Sequence, residues 1–202
     1  MTNVLIIGAT SLVGQKATKY FLNKTDDHLT LMARNPGFLS IDKNRGRVVQ
    51  GDVLDDIPLD DALDDIDIVV ITADSNLALS AERIIGGMDK HGVDRLIFIT
   101  SMGLYNEVPV TDGASGNLTN QAILKPYQAA VQAIESSDLN YTIVRPSQFD
   151  ESQDLNYEVV PEGEAGVSGD VSLNSVADFI IKAANNDKVD SHESVAICRK
   201  EA

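Results

Sequence analysis

The chain opens on Asn3-Val4-Leu5-Ile6-Ile7-Gly8-Ala9-Thr10-Ser11-Leu12-Val13-Gly14. Val4 to Ile7 is apolar and rich in β-branched residues, the composition of a strand buried on both faces. Gly8 stops that run, and Leu12, Val13, Ala17, Tyr20 and Phe21 then recur at helical spacing. Strand, glycine turn and helix follow without a gap, the order that a dinucleotide-binding βα unit needs. A turn without a side chain lets backbone N–H groups approach a pyrophosphate, and the helix N-terminus directs partial positive charge toward it. The spacing is Gly8-x-x-Ser11-x-x-Gly14, so a serine holds the middle position of a G-x-x-G-x-x-G pattern. Candidate cofactor contacts in this loop are Gly8, Thr10, Ser11, Leu12, Val13 and Gly14. The Ser11 hydroxyl is expected to donate to a phosphate oxygen.

Outward from this unit, strands alternate with helices. His28 to Ala33 reads as a second strand, followed by a turn at Arg34-Asn35-Pro36-Gly37. Arg47 to Gln50 is a third strand, ending at Gly51-Asp52, and Ile66 to Thr72 is a fourth. A helix over Leu77 to Lys90 is stopped by His91-Gly92, and a fifth strand, Arg95 to Thr100, leads to Ser101. A less regular stretch follows, then a helix starting at Pro126 with Tyr127, Ala130, Val131 and Ile134 on its apolar stripe. Asn140 to Val144 is a sixth strand closed by Arg145-Pro146; a short strand at Tyr157 to Val160, a helix over Asn174 to Ala184 and a strand at Ser194 to Ile197 complete the chain. This alternation predicts an α/β fold, a doubly wound parallel sheet forming one domain over residues 1–202. The ligand is expected at the carboxyl ends of the strands, where the order reverses. Gly8–Gly14, Arg34, Asp52, Thr72–Asp74, Ser101 and Arg145–Gln148 converge there. The polar, glycine-rich segment 147–173 is the natural lid on the substrate side.

The net charge of −15 argues against a nucleic-acid binder, because nothing offsets repulsion from phosphates. No apolar stretch approaches the length of a membrane span, and no signal peptide is read at the start, so a cytoplasmic protein is expected. The single cysteine, Cys198, excludes an intrachain disulfide and a cysteine metal cluster. Charge is uneven. Asp52 to Asp67 carries eight aspartates and no basic residue, and reads as a solvated helix face with Ile57, Leu63 and Ile66 inward rather than as a metal site. Arg34, Lys43, Arg45 and Arg47 form the opposite bias just after the second strand, which invites an anionic ligand. An NAD-preferring site wants an acidic residue about 20 positions after the glycine motif. That count lands on Arg34, a residue that suits a 2′-phosphate, although an arginine capping the turn is the plainer alternative.

The chain resembles the short-chain dehydrogenase/reductase superfamily, in its atypical, NmrA-like branch of NAD(P)H-binding proteins. The resemblance rests on IIGATSLVG, MARNP, GDVLD, ITSMG with Tyr105 close behind, and SSDLNYTIVRP; it runs over nearly the whole length. It implies a Rossmann-type fold, a Gly8–Gly14 loop holding the cofactor pyrophosphate, Asp52 and Val53 bordering adenine, and Ala73 beside the ribose. Thr72, Arg145 and Pro146 complete the expected cofactor set, with NADP(H) preferred over NAD(H). Ser101 stands where better-known members carry a catalytic serine. Tyr127 matches an active-site position, but Val131 occupies the place of the lysine that would lower its pKa, and the apolar stripe equally suits Tyr127 to a core role. Tyr105 is a second catalytic candidate.

Two functions are consistent with this pattern. One is an NADPH-dependent oxidoreductase passing hydride to a small acceptor such as a flavin or quinone, for which solvent supplies the proton. The other is a non-catalytic dinucleotide-sensing regulatory protein. The substrate, the physiological partner and the oligomeric state do not follow from the residues.

Overall fold

Side chains along β1 (Asn3–Ile7) alternate between two apolar interiors: Leu5 and Ile7 belong to one cluster, Val4 and Ile6 to the other. That alternation is what a strand covered on both faces requires. The structure is a computed structural model and describes residues 1–73, 75–108, 117–164 and 169–200. β1 is joined by β2 (His28–Ala33), β3 (Gly46–Gln50), β4 (Ile68–Ile71), β5 (Arg95–Ile99) and β6 (Asn140–Pro146). After a two-residue β7 (Phe149–Asp150), the chain adds β8 (Tyr157–Pro161), β9 (Val171–Ser172) and β10 (Glu193–Arg199). The main sheet has eight strands in the order β3-β2-β1-β4-β5-β6-β10-β8, parallel throughout except where β8 pairs with β10; β7 and β9 form a separate small pair. The predicted doubly wound parallel sheet is therefore present.

Five helices cover the sheet. α1 (Leu12–Lys24) and α5 (Leu173–Asn185) pack on the Val4/Ile6 side, burying Phe21, Phe179 and Ile180. α2 (Asp56–Leu63), α3 (Leu77–His91) and α4 (Lys125–Glu135) cover the Leu5/Ile7 side with Leu63, Ile84, Met88 and Ile134. Each such side chain contributes about 1.5–3 kcal/mol through the apolar surface it removes from water. The sheet order reverses between β1 and β4, and the chain crosses from one face to the other on passing from α1 to α2. A crevice at the carboxyl ends of those two strands is the geometric result.

Three details differ from expectation. Leu12 is 66% exposed, because it is the first residue of α1 and faces out from the helix end rather than into the core. Ile57 is 85% exposed, and Leu59, Ala62 and Leu63 form the inner face of α2 instead. The acidic residues of α2 are paired rather than merely solvated: Asp56 with Arg83, Asp60 with Lys90 and His91, and Asp61 with Arg47. Among the described residues no group of histidine, cysteine and carboxylate side chains is placed to hold a metal ion, and no helix is long and apolar enough to cross a membrane.

Between β2 and β3 the crossover contains no helix. Residues 34–45 return along the α1 side as an irregular connection, with Leu39 and Ile41 packed against the core.

Candidate functional site

Gly8 ends β1 with φ +83°, a left-handed conformation that L side chains rarely adopt, and its surroundings are equally restrictive. A Cβ there would lie 2.7 Å from the Ala73 backbone nitrogen and 2.9 Å from the Thr72 carbonyl carbon. The glycine is thus needed first for the close approach of β1 to the end of β4. Gly14, in the first turn of α1, is equally confined: a Cβ there would lie 2.4 Å from the Gly8 oxygen.

Ser11 is the N-cap of α1, and its Oγ accepts from the Gly14 N–H at 2.9 Å. The first turn of a helix has N–H groups without intrahelical acceptors. Gly14 gives its own to Ser11 Oγ and Gln15 gives its own to Ser11 O at 2.9 Å. Among the described residues the N–H groups of Leu12 and Val13 meet no protein acceptor, which leaves them for an anion at this helix end. Exposed Leu12 therefore belongs to the site through its backbone. The Ser11 hydroxyl does not stand free to donate to a phosphate, as the sequence reading expects: it donates to Thr72 Oγ1 at 3.0 Å.

Beside this turn lies a cavity of about 250 Å³ at the carboxyl ends of β1, β2 and β4. Gly8, Thr10, Ser11, Arg34, Asp52, Val53 and Ala73 all line it, as the sequence analysis expects of a cofactor site. Met32, Ile71, Ala81, Ile84 and Phe98 supply an apolar wall. Asn35, Ser75, Asn76 and Ser80 also line it and were not picked out from sequence. Asn76 precedes the apolar stripe of α3, which is a readable helix-start signal, and it takes a left-handed conformation there, φ +51°. Asp74, expected at the same strand end, lies outside the described residues.

Of the basic residues after β2, Arg34 alone lines the cavity. Arg45 donates to the carbonyls of Leu22, Thr25 and Asp27, closing the end of α1, and Arg47 pairs with Asp61. Of the four residues of the expected basic patch, Arg34 stands at the cavity, Arg45 and Arg47 bind other parts of the fold, and Lys43 does not line the cavity. Among the described residues Arg34 takes part in no ion pair.

The second half of the expected site is built differently. Thr100 donates through both its N–H and its hydroxyl to Val144 O, and the Met102 N–H donates to Pro146 O at 3.2 Å. Half-buried Ser101 is carried between these two ties, at the junction of β5 and β6. Arg145 is not among the cavity residues. Its guanidinium is 1% exposed, forms an ion pair with Glu107, donates to Ser194 Oγ at 3.0 Å, and lies 4.9 Å from the Tyr105 ring centroid. Pro146 likewise lies outside the cavity and pairs in the sheet with Ile197. Glu107, a lone carboxylate in an irregular stretch, carried no sequence signal that would have marked it.

Tyr105 donates from its phenol to Glu135 Oε1 at 3.0 Å. Burial pushes that phenol well above its ordinary pKa; a hydrogen bond with Ser194 opposes this and the Glu135 charge adds to it. Glu135 is the last residue of α4, whereas Tyr127 sits in its first turn. At 1.5 Å per residue those positions are about 12 Å apart along the helix. The Tyr105 phenol is thus tied to the C-terminal end of α4, while Tyr127 belongs to its N-terminal end. Tyr127 is half-buried and packed against the core on this face, and Val131, four residues on, is fully inside it.

Residues 8–187 match a family described as NAD(P)H-binding. No curated protein sequence matches the chain. Among solved structures, a Rossmann-fold NAD(P)-binding family protein from Shigella flexneri is 28% identical, covering 100% of this chain and 98% of its own, with a TM-score of 0.83. A wide-type short-chain dehydrogenase/reductase from Veillonella parvula in complex with NADP is 23% identical, covering 98% and 94%, with a TM-score of 0.88. An anaerobilin reductase from Escherichia coli is 20% identical, covering 100% and 98%, with a TM-score of 0.81. At those two identities the likeness is one of fold.

Proposed function

Because the chain belongs to the NAD(P)H-binding family, we propose that it is an NADPH-dependent oxidoreductase of the atypical short-chain dehydrogenase/reductase type, acting in the cytoplasm on a small acceptor such as a flavin or quinone. The observation that carries the reading is the position of Arg34 on the cavity wall, without a carboxylate partner among the described residues, while Arg45 and Arg47 are committed elsewhere. The residues fit the cofactor: a glycine turn with positive φ, two first-turn N–H groups that meet no acceptor among the described residues, and an apolar wall beside Asp52 and Val53. In this reading the N–H groups of Leu12 and Val13 hold the pyrophosphate, Arg34 the 2′-phosphate, Asp52 and Val53 the adenine, and Ala73 the ribose. When bound, the nicotinamide supplies a hydride.

The protein's contribution to the chemistry is to bind, orient and exclude water. A tyrosine donates near neutral pH only when positive charge lowers its pKa. Burial and Glu135 act on Tyr105 in the opposite sense, and Val131 brings no charge to Tyr127. A flavin or quinone, protonated from solvent, asks for no such group. In this reading the segment 147–173 serves as the acceptor-side cover; within its described residues the Ser147 hydroxyl donates to Gly169 O and the Ser172 hydroxyl to Asp154 O.

Calorimetric titration with NADPH and NADH, followed by NADPH turnover against a panel of flavins and quinones, tests this. Tighter binding of NADPH together with turnover of at least one acceptor is expected. The same missing acid favours a second reading, a dinucleotide sensor without catalysis. Tight NADPH binding with no oxidation across the panel would select it.

A further inference from the structure

Ser11 occupies the position where the glycine spacing leaves room for a second turn glycine, and its hydroxyl is built into a closed chain. The Gly14 N–H donates to Ser11 Oγ at 2.9 Å, Ser11 donates to Thr72 Oγ1 at 3.0 Å, and Thr72 donates to Gly8 O at 2.9 Å, with Ile7 O at 3.1 Å. Its direction is forced from both ends, since a backbone N–H only donates and a carbonyl only accepts. Both hydroxyl protons are consumed inside the protein. A Cβ on Gly14 would lie 2.9 Å from Thr72 Oγ1, so the hydroxyl uses space that only glycine leaves open. The chain ties together the end of β1, the cap of α1 and the end of β4.

We infer that Thr72 is a positioning residue for the cofactor diphosphate: through Ser11 it holds the first turn of α1 so that the Leu12 and Val13 N–H groups converge on the phosphates. This rests on the NAD(P)H-binding reading above. A serine at this place must keep its hydroxyl turned inward onto the cap, and Thr72 supplies the acceptor that fixes this rotamer. Thr72 stands outside the cavity lining and acts on the ligand only by way of the turn. Arg34 belongs to the end of β2 and has no role in the chain, so recognition of a 2′-phosphate is independent of it.

The test uses two probes, NADPH and 2′-AMP, titrated calorimetrically into wild type, Thr72→Val and Thr72→Ser. NADPH carries the diphosphate and 2′-AMP does not. Thr72→Val should weaken NADPH by roughly twofold to tenfold, the range of one net hydrogen bond, and leave 2′-AMP unchanged. Thr72→Ser should restore wild-type NADPH affinity. Should Thr72→Val not fold, Ser11→Ala breaks the same chain and should show the same selective loss. Equal weakening of both probes, or none for NADPH, overturns the positioning role while the dinucleotide reading stands. Failure of wild type to bind either probe overturns that reading and the inference with it.

Discussion

Arg34 is the residue on which the proposed preference for NADPH rests. A hydrogen bond to a charged group is worth roughly 1.5–3 kcal/mol, which is about tenfold to a hundredfold in affinity. Arg34→Asp should lose that much for NADPH and change little for NADH, as read by calorimetry; equal affinities for both cofactors in wild type would reduce Arg34 to a turn residue. Tyr127→Phe should keep most NADPH oxidation toward a flavin or quinone, because the change removes only a hydroxyl. Acid–base catalysis contributes about a hundredfold to ten-thousandfold, so a loss of that size with cofactor affinity intact would make Tyr127 the proton donor. At this scale the sequence was readable where spacing alone decides, as for Gly8 and Arg34. It was not readable where a partner distant in sequence decides. Nothing near Ser11 announces that Thr72 takes its proton, and nothing near Arg145 announces Glu107. Gly8 shows both sides: its need follows from the turn, but the backbone it must clear belongs to Thr72 and Ala73.

The strands of the main sheet and the helices on it were legible from apolar runs and stripes, whereas β7 and β9, two residues each, carry no such pattern and were not read. β6 reads as Asn140 to Val144 and in fact continues through Arg145-Pro146, because the sheet on its far side is extended by β10. The connection from β5 to α4 is where sequence pattern fails. Its described part is tied to β6 by Arg145 and Glu107, whose side chains are 1% and 8% exposed, with Glu107 Oε2 accepting from the Tyr105 N–H at 2.9 Å. Removing one partner of a buried ion pair typically costs about 3–5 kcal/mol, because the other charge is stranded. Glu107→Leu should therefore lower the urea midpoint strongly, and adding Arg145→Met should recover most of the loss. Equal destabilisation in the single and double variants would show that the pairing itself is not what fastens this loop to β6.

Over the whole molecule, four phenols, Tyr20, Tyr105, Tyr141 and Tyr157, are pushed above the ordinary tyrosine value, with burial the largest cause in each. In the unfolded chain these groups ionise near pH 10. The folded state resists ionisation beyond that, so their contribution is full below pH 10 and is lost as the pH rises from there through the higher folded values. Thermal unfolding followed from pH 8 to 12 should show a falling midpoint above pH 10, and Tyr105→Phe should shallow the fall. An unchanged slope in that variant would remove Tyr105 from the account. One architectural economy also has a consequence for how such a protein diversifies. The stretch that presents Arg34 contains no helix and is anchored to the body by Leu39, Ile41 and the Arg45 guanidinium on the carbonyls at the end of α1. On the proposed function, coenzyme selectivity would be housed in an exchangeable tip: the residues between Arg34 and Leu39 could be rewritten, and the preference between the two nicotinamide coenzymes reversed, while Leu39, Ile41 and Arg45 keep their ties to the body.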